Sequence, residues 1–331
     1  MGNKIMPVSS FNPDPMKLGL FTDSLAELPF EQMLDEASRM GIEVLEFGTG
    51  GYSITPHLDM QDLLQHEESR KVFMDAILSR GLEIAALNCS ANAMWPGGKG
   101  EQHAKDIMDT FKLAELLGVK HIVSQSGLPA GCPEDKCLNW VTHTYPPEMS
   151  EMMKYQWDEV IGFWKKAAKE AENHGVETIA LENHPMNVVC NTTTLLLLRE
   201  AVGPIIGMNL DPSHMFFMGG DPIMIARYLT ERKAIYHVHG KDTRINKDIR
   251  GLDGVELRPY NAPAAGRGWN YVSVGYGHDH LWWKEFFGTL AAGDYHGPVC
   301  IEVEDPLMPD NLVAVERSAA FLRETMLIKY R

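Results

Sequence analysis

Late in this 331-residue sequence, four short segments alternate apolar residues with a face that turns ionisable toward the C-terminal end. In 179–184, Ala180, Glu182 and His184 alternate with Ile179 and Leu181; in 208–211, Asn209 and Asp211 alternate with Met208 and Leu210. In 235–241, His237, His239 and Lys241 share a face against Val238, and in 300–304, Cys300, Glu302 and Glu304 oppose Ile301 and Val303. An extended backbone sends successive side chains to opposite faces. Each segment therefore has one apolar face and one that turns ionisable toward its C-terminal end. Carboxylates and imidazoles converging inside a packed fold are costly unless something pairs with them, and a divalent cation is the simplest partner. The expected ligands are Glu182, Asp211, His239 and Glu302. His237 is the alternative to His239, and Glu304 the alternative to Glu302, although Glu304-Asp305-Pro306 reads as the start of an exit loop. Three carboxylates and one imidazole suit one Mn2+, Mg2+ or Co2+, with Mn2+ preferred, better than a thiolate-rich zinc site. Such an ion polarises a carbonyl and its neighbouring hydroxyl and stabilises the enediolate left when an α-proton departs. A carboxylate or imidazole on each side then removes and returns protons, and His184 is a second candidate base. Lys241 is expected either to stabilise oxyanion charge or to pair with Asp242.

Those segments need elements to hold them. Strand-like runs occur at 17–22, 42–47, 82–88, 119–125, 176–182, 205–211, 234–240 and 298–304, each followed by an amphipathic helical pattern. Phe30, Met33, Leu34, Ala37 and Met40 make one apolar stripe; Val160, Ile161, Trp164, Ala168 and Ala171 make another. Gly41, Gly81, Gly118 and Gly175 supply C-terminal stops. Eight strict β–α units imply parallel strands with right-handed crossovers, closing as a (β/α)8 TIM barrel of the α/β class. An open doubly wound sheet is the weaker reading, because the first βα turn, FTDSLAEL, has no glycine-rich phosphate loop. The expected organisation is a 1–16 tail followed by one barrel domain over 17–331. Rim insertions at 127–150 and 242–280 follow strands four and seven, on the face that carries chemistry in such barrels.

Composition narrows the partners. Thirty Lys+Arg against 45 Asp+Glu leave a formal charge of −15, which repels phosphodiester backbones and anionic lipid, so neither nucleic acid nor membrane is an expected partner. No run approaches the roughly 18 apolar residues that a membrane span requires. The opening MGNKIMPVSSFNPDPM has no apolar core of a secretory signal, and Met6 stands where myristoylation needs Ser or Thr. Five cysteines at 89, 132, 137, 190 and 300 do not match zinc spacing and read as free thiols. A cytoplasmic location is the expectation.

The ordered set LENHP (181–185), NLDPSH (209–214), HVHGKDTR (237–244) and IEVED (301–305) resembles the xylose-isomerase-like barrel superfamily over about 17–325. That group includes sugar-phosphate isomerases and epimerases, ketose 3-epimerases and inosose dehydratases. The resemblance implies that Glu182, Asp211, His239 and Glu302 bind one divalent metal, with Glu182 and Glu302 also flanking the substrate as acid and base. It further implies that His214 lies behind the metal ligands and that Arg244, five residues past His239, contacts substrate oxygens. Trp95, Trp140, Trp269, His143 and His278 fall in rim loops suited to stacking on, or hydrogen-bonding, a sugar.

Reversible proton transfer on a keto-sugar, giving isomerisation or epimerisation, is the first functional reading. The alternative is a lyase that uses the same abstraction for β-elimination from a 3-oxo-glycoside. That reading resembles the catalytic subunit of C-glycoside deglycosidases, which use a His two residues after the metal-binding Glu, here His184, and pair with a small second subunit. A homo-oligomer or such a hetero-oligomer is the expected assembly. A metal-dependent endonuclease stands third, opposed by the acidic balance and hinted at only by Glu46, His57 and His121.

Overall fold

The computed structural model describes residues 15–254 and 262–326, so the expected tail lies almost wholly outside the described residues. Eight parallel strands form a closed barrel: β1 (Lys17–Phe21), β2 (Val44–Gly48), β3 (Glu83–Cys89), β4 (His121–Ser124), β5 (Thr178–Glu182), β6 (Ile206–Leu210), β7 (Ile235–Gly240) and β10 (Pro298–Ile301). The barrel closes between β1 and β10. The intervening β8 (Asp242–Ile245) and β9 (Trp269–Val272) make a separate antiparallel pair in the second rim insertion.

Alternation along the strands sets the layers. Leu45, Leu87, Ile122, Ile179, Leu181, Val238, Val299 and Ile301 all join the large core between barrel and helices. The opposite faces of β3, β4 and β5 contribute Ala86, Val123 and Ala180 to a small cluster inside the barrel. The register slips between β6 and β7: Met208 pairs with Ile235, but Asn209 pairs with His237, leaving Tyr236 as an extra residue. Such a bulge re-aims the side chains that follow it. Tyr236 packs on the interior cluster, and His237 and His239 follow buried above it.

Eleven α-helices occur among the described residues, where eight were expected. The βα connection after β2 holds two, because Asp59 caps α2 (Met60–Gln65) and the chain bends at His66 into α3 (Glu67–Leu78). The connection after β6 also holds two. Asp211 caps α7 (Pro212–Met218), Gly219 stops it in a left-handed conformation, and Asp221-Pro222 starts α8 (Pro222–Thr230). The four expected glycine stops all adopt φ between +71° and +74°. The helix stripes hold, except that Ile161 and Phe30 are only partly buried.

Both rim insertions are built structures. In the first, Ala130 bridges Leu138, and Gln156 on α5 (Glu148–Asn173) donates to the carbonyls of Pro129, Ala130 and Asn139. In the second, the described residues hold the β8–β9 pair and α9 (Lys247–Asp253), tied to α7 by Thr243 donating to the Ser213 carbonyl and Arg250 donating to the Phe217 carbonyl. Among the described residues, no helix is long and apolar enough to cross a membrane.

Candidate active site

Glu182 ends β5, and the next residue ties two strand ends together. The Asn183 amide donates to the Asp211 carbonyl and its oxygen accepts from the Asp211 N–H, each at 2.8 Å. Asp211 lies one residue past β6 and is the N-cap of α7, where its Oδ1 accepts from Ser213 N at 2.7 Å. Pro212 suits the first helical position because its missing N–H needs no partner there. The capping turn carries His214, at the third helical position, back over its own cap. Its Nε2 lies 3.3 Å from Asp211 Oδ2 and 3.2 Å from Glu182 Oε1. The spacing D-P-S-H is thus a capped helix start that returns an imidazole to the carboxylates.

His239 Nδ1 approaches Glu302 Oε2 at 3.0 Å, Glu182 Oε1 at 3.5 Å and Asp211 Oδ2 at 4.0 Å. One ligand atom from each of Glu182, Asp211, His239 and Glu302 falls within 4.8 Å of the others. The sequence places Glu302 on a strand running to 304, whereas β10 stops at Ile301 and Glu302 leans inward from just beyond it. Three of the converging atoms, Asp211 Oδ2, His239 Nδ1 and Glu302 Oε2, are buried without a hydrogen-bond partner. Buried polar atoms are normally satisfied. Their charged neighbours are one another, the His214 ring and the Lys241 ammonium, and three carboxylates with one imidazole facing one point are what a divalent cation requires, so the donor set fits such an ion.

The charges respond to this crowding. Burial pushes the Glu182 carboxyl up, but His214 and His239 outweigh it and hold it well below the usual range. Burial likewise opposes charge on Glu302, and Lys241 with His239 overcomes it. Asp211 is raised, chiefly by burial. Burial disfavours a charged His239, yet Glu46 and Glu302 raise it well above its ordinary value.

Beneath this group lies a second one. Glu46, on β2, places Oε2 2.7 Å from His237 Nε2 and 3.2 Å from His239 Nε2, while Oε1 accepts from the Asn88 amide at 2.6 Å. His237 is therefore occupied by Glu46, and His239 is the histidine among the four converging groups. Glu46 entered the sequence reading only as a nuclease hint. Its signal was available: a lone acid between Leu45 and Phe47 on a strand that is otherwise apolar. Of the other two nuclease hints, His57 binds the Leu28 carbonyl and His121 bonds Thr178 at the start of β4.

Above the four groups opens a cavity of about 550 Å3, lined by Glu182, Glu302, His184, Lys241, Trp95 and Gln125 among others. His184 Nδ1 lies 2.5 Å from the Pro185 carbonyl. The N–H must therefore be on Nδ1, which leaves Nε2 as the ring's acceptor. Burial first, then His214, lowers its pKa to about 4, so it is neutral near pH 7. Lys241 does not pair with Asp242; its ammonium lies 3.2 Å from Glu302 and 3.4 Å from the half-exposed Glu304. Asp242 is taken up by the backbone amides of Gly275, Gly277 and His278. A larger depression of about 610 Å3 on the outside, between α6 (Thr192–Val202) and α8, is mostly apolar and holds none of these groups.

Several expected sugar contacts do not line this cavity. Arg244 is exposed on the β8–β9 pair, opposite Asn270. His278 bonds Asp242 Oδ1 at 2.8 Å and stacks on Phe216. Trp269 stacks on Phe217 at 3.9 Å, Trp140 lines a small separate pocket beside α5, and His143 is an exposed turn residue. Each was placed by its loop position, and each loop folds onto itself or its neighbours. Two residues that reach the site were not anticipated. Gln125 donates to Glu182 Oε2 at 3.3 Å, and the Tyr271 hydroxyl lies 2.8 Å from His214 Nδ1. Tyr271 comes from the hairpin inside the rim insertion, which no local pattern announces.

Comparison with known proteins places this geometry in context. The family model described as "Xylose isomerase-like TIM barrel" matches residues 34–325. The Bacillus subtilis (strain 168) protein called "Uncharacterized protein YfiH" is 48% identical over 316 residues, covering 94% of this chain and 99% of that protein. The inosose dehydratase of Clostridium tetani (strain Massachusetts / E88) is 23% identical over 329 residues, covering 97% and 95%. Among solved structures, the IolI protein with a bound zinc atom superposes with a TM-score of 0.64 at 18% identity, over 94% of this chain and 98% of that one.

Proposed function

The chain belongs to the xylose isomerase-like TIM-barrel family, and from that premise we propose that it is a divalent-metal-dependent enzyme that isomerises or epimerises a keto-sugar by moving a proton next to its carbonyl. The observation that carries this reading is the convergence of Glu182, Asp211, His239 and Glu302, one ligand atom from each within 4.8 Å of the others, below a polar cavity. Glu182, Asp211, His239 and Glu302 would hold the ion, with Mn2+ preferred for its fit to hard oxygen donors. When bound, such an ion supplies Lewis acidity toward a carbonyl and its neighbouring hydroxyl.

The remaining chemistry falls to side chains. Glu182 is held ionised by His214 and His239, so it accepts a proton at neutral pH. Glu302 reaches in from β10, three places along the barrel from β5, and its neighbour Lys241 keeps it ionised. Two carboxylates from separated strands let one remove a proton and the other return one, a contribution of roughly 10²–10⁴-fold. Neutral His184, with Nε2 as its acceptor, is a third base at the same cavity. Tyr271 and Gln125 position His214 and Glu182 respectively.

A second reading shares the first step. Loss of the α-proton followed by expulsion of a β-hydroxyl is dehydration, and the inosose dehydratase relative favours it. The two separate in D2O. Mn2+-loaded protein is incubated with a panel of ketoses, cyclic keto-polyols and 3-oxo-glycosides and followed by NMR. Deuterium entering an intact sugar supports the first reading. Loss of water supports the second, and release of an aglycone points to a lyase. No exchange, elimination or release with any of them overturns the proposal.

A further inference from the structure

One carboxylate that lines the cavity has no part in the chemistry above. Asp23 sits in the 3-10 turn Thr22–Leu25 directly after β1. The next residue fixes that turn: Ser24 Oγ accepts the N–H of Val303 at 3.0 Å, locking it beside the segment that carries Glu302. Asp23 Oδ1 is buried and forms no well-aligned hydrogen bond. It converges with Ser53 Oγ over Gly48, where an added Cβ would lie 2.5 Å from Asp23 Oδ1 and 2.2 Å from Ser53 Oγ. The backbone thus leaves room for two polar groups at the cavity wall, the Asp23 carboxylate and the Ser53 hydroxyl beside it. Burial pushes the Asp23 carboxyl up to about 6; a hydrogen bond from Ser53 pulls it down, while Glu46 and Glu302 add to the rise.

Charge around the cavity points the same way. Asp23, Glu182, Glu302 and Glu304 line it, and among the described lining residues Lys241 is the single cation. Lys241 is already engaged by Glu302 and Glu304. Lys99, at the rim, lies 3.7 Å over the Trp95 ring. A phosphate ester entering here meets a surplus of negative charge with no guanidinium to receive it, whereas a hydroxyl meets a carboxylate that can accept from it.

We propose that Asp23 is the specificity-determining residue of this cavity: its carboxylate, beside Ser53 at the wall, accepts from a substrate hydroxyl, and its charge restricts the site to uncharged polyhydroxylated ketones. This rests on the keto-sugar reading above. It is tested with Mn2+-loaded wild type, Asp23→Asn and Ser53→Ala, measuring deuterium exchange into a free ketohexose and into its 6-phosphate. A hydrogen bond to a charged acceptor is worth about 10–100-fold in affinity. Asp23→Asn is therefore expected to raise KM for the free ketose by that factor, with kcat changed less than about threefold and the preference over the phosphate ester narrowed. Ser53→Ala should shift KM in the same direction by less. Mn2+ affinity should not change. The melting temperature of Asp23→Asn at pH 7 should equal or exceed that of wild type. A carboxyl whose folded value lies above its ordinary 3.8 costs stability as pH rises through that window, and the cost is fully present above about 6.

If wild type exchanges the phosphate ester as readily as the free ketose, or Asp23→Asn keeps both KM and preference, the assignment of Asp23 fails while the keto-sugar reading stands. Loss of Mn2+ binding or early melting in Asp23→Asn makes Asp23 a structural residue and also overturns the assignment. Exchange into neither compound by wild type overturns the assignment of Asp23, and if no member of the panel above reacts either, the keto-sugar reading falls with it.

Discussion

Two clusters of ligating residue types stack along the barrel axis. The lower trio, Glu46, His237 and Cys300, brings its candidate ligand atoms as close together as the upper four, Glu182, Asp211, His239 and Glu302. Their chemistry differs. In the lower trio Glu46 accepts from His237 and Asn88, and none of the three has a buried atom without a partner among the described residues. Burial pushes the Cys300 thiol well above its ordinary value, so it stays protonated, and Gly19 leaves the space its sulfur fills. In the upper group Asp211 Oδ2, His239 Nδ1 and Glu302 Oε2 form no well-aligned hydrogen bond and are held by charge, to one another, to His214 and to Lys241. Proximity does not separate the two clusters; unfilled hydrogen-bonding capacity does. The two clusters are also joined, because Glu46 faces His239 Nε2. With an ion bound, a proton held on Nε2 by that carboxylate would leave Nδ1 as the lone pair facing Glu182, Asp211 and Glu302.

The contrast can be broken from the top down. Glu302→Gln removes one unsatisfied acceptor and a proton carrier together. It should lower the rate of deuterium exchange by about 10²–10⁴-fold and weaken Mn2+ in a calorimetric titration; full activity would remove Glu302 from the mechanism. Glu46→Gln leaves all four upper groups in place but loosens the hold on His239. A drop of about 10–100-fold in Mn2+ affinity is expected, and an unchanged affinity would show that the lower trio does not orient the upper site. Cys300→Ala probes the satisfied cluster by itself. It should leave Mn2+ affinity as it was and cost about 1 kcal/mol in urea unfolding, the scale of a small cavity. A loss of metal in that variant would erase the distinction between the clusters.

Much of this arrangement was legible beforehand. Apolar residues alternating with Glu182, Asn209 and Asp211 mark which face of β5 and β6 turns inward, since a barrel strand must be apolar toward its helices. The choice between His237 and His239 was not legible. It depends on the bulge at Tyr236, which sets how β7 aligns with β6 and so which imidazole stands level with Asp211. Glu46 lies 191 residues before His237, and no local periodicity links positions so far apart. Loop residues fared worst. Arg244 follows β7 closely and His278 lies in the long loop before β10, yet the β8–β9 pair carries the first outward and Asp242 captures the second.

Hydrophobic periodicity by itself determined the closed eight-stranded barrel and put one ionisable group at the end of each of four successive strands. It does so because burial acts residue by residue, at a period the backbone imposes. Only the tertiary structure decided which of those groups converge, that Glu46 stands behind His239, that Tyr271 reaches His214 and that Asp23 reaches the cavity. Hydrogen bonds and charges act over a few ångströms between residues far apart in the chain, so their pairing exists only once the barrel has closed.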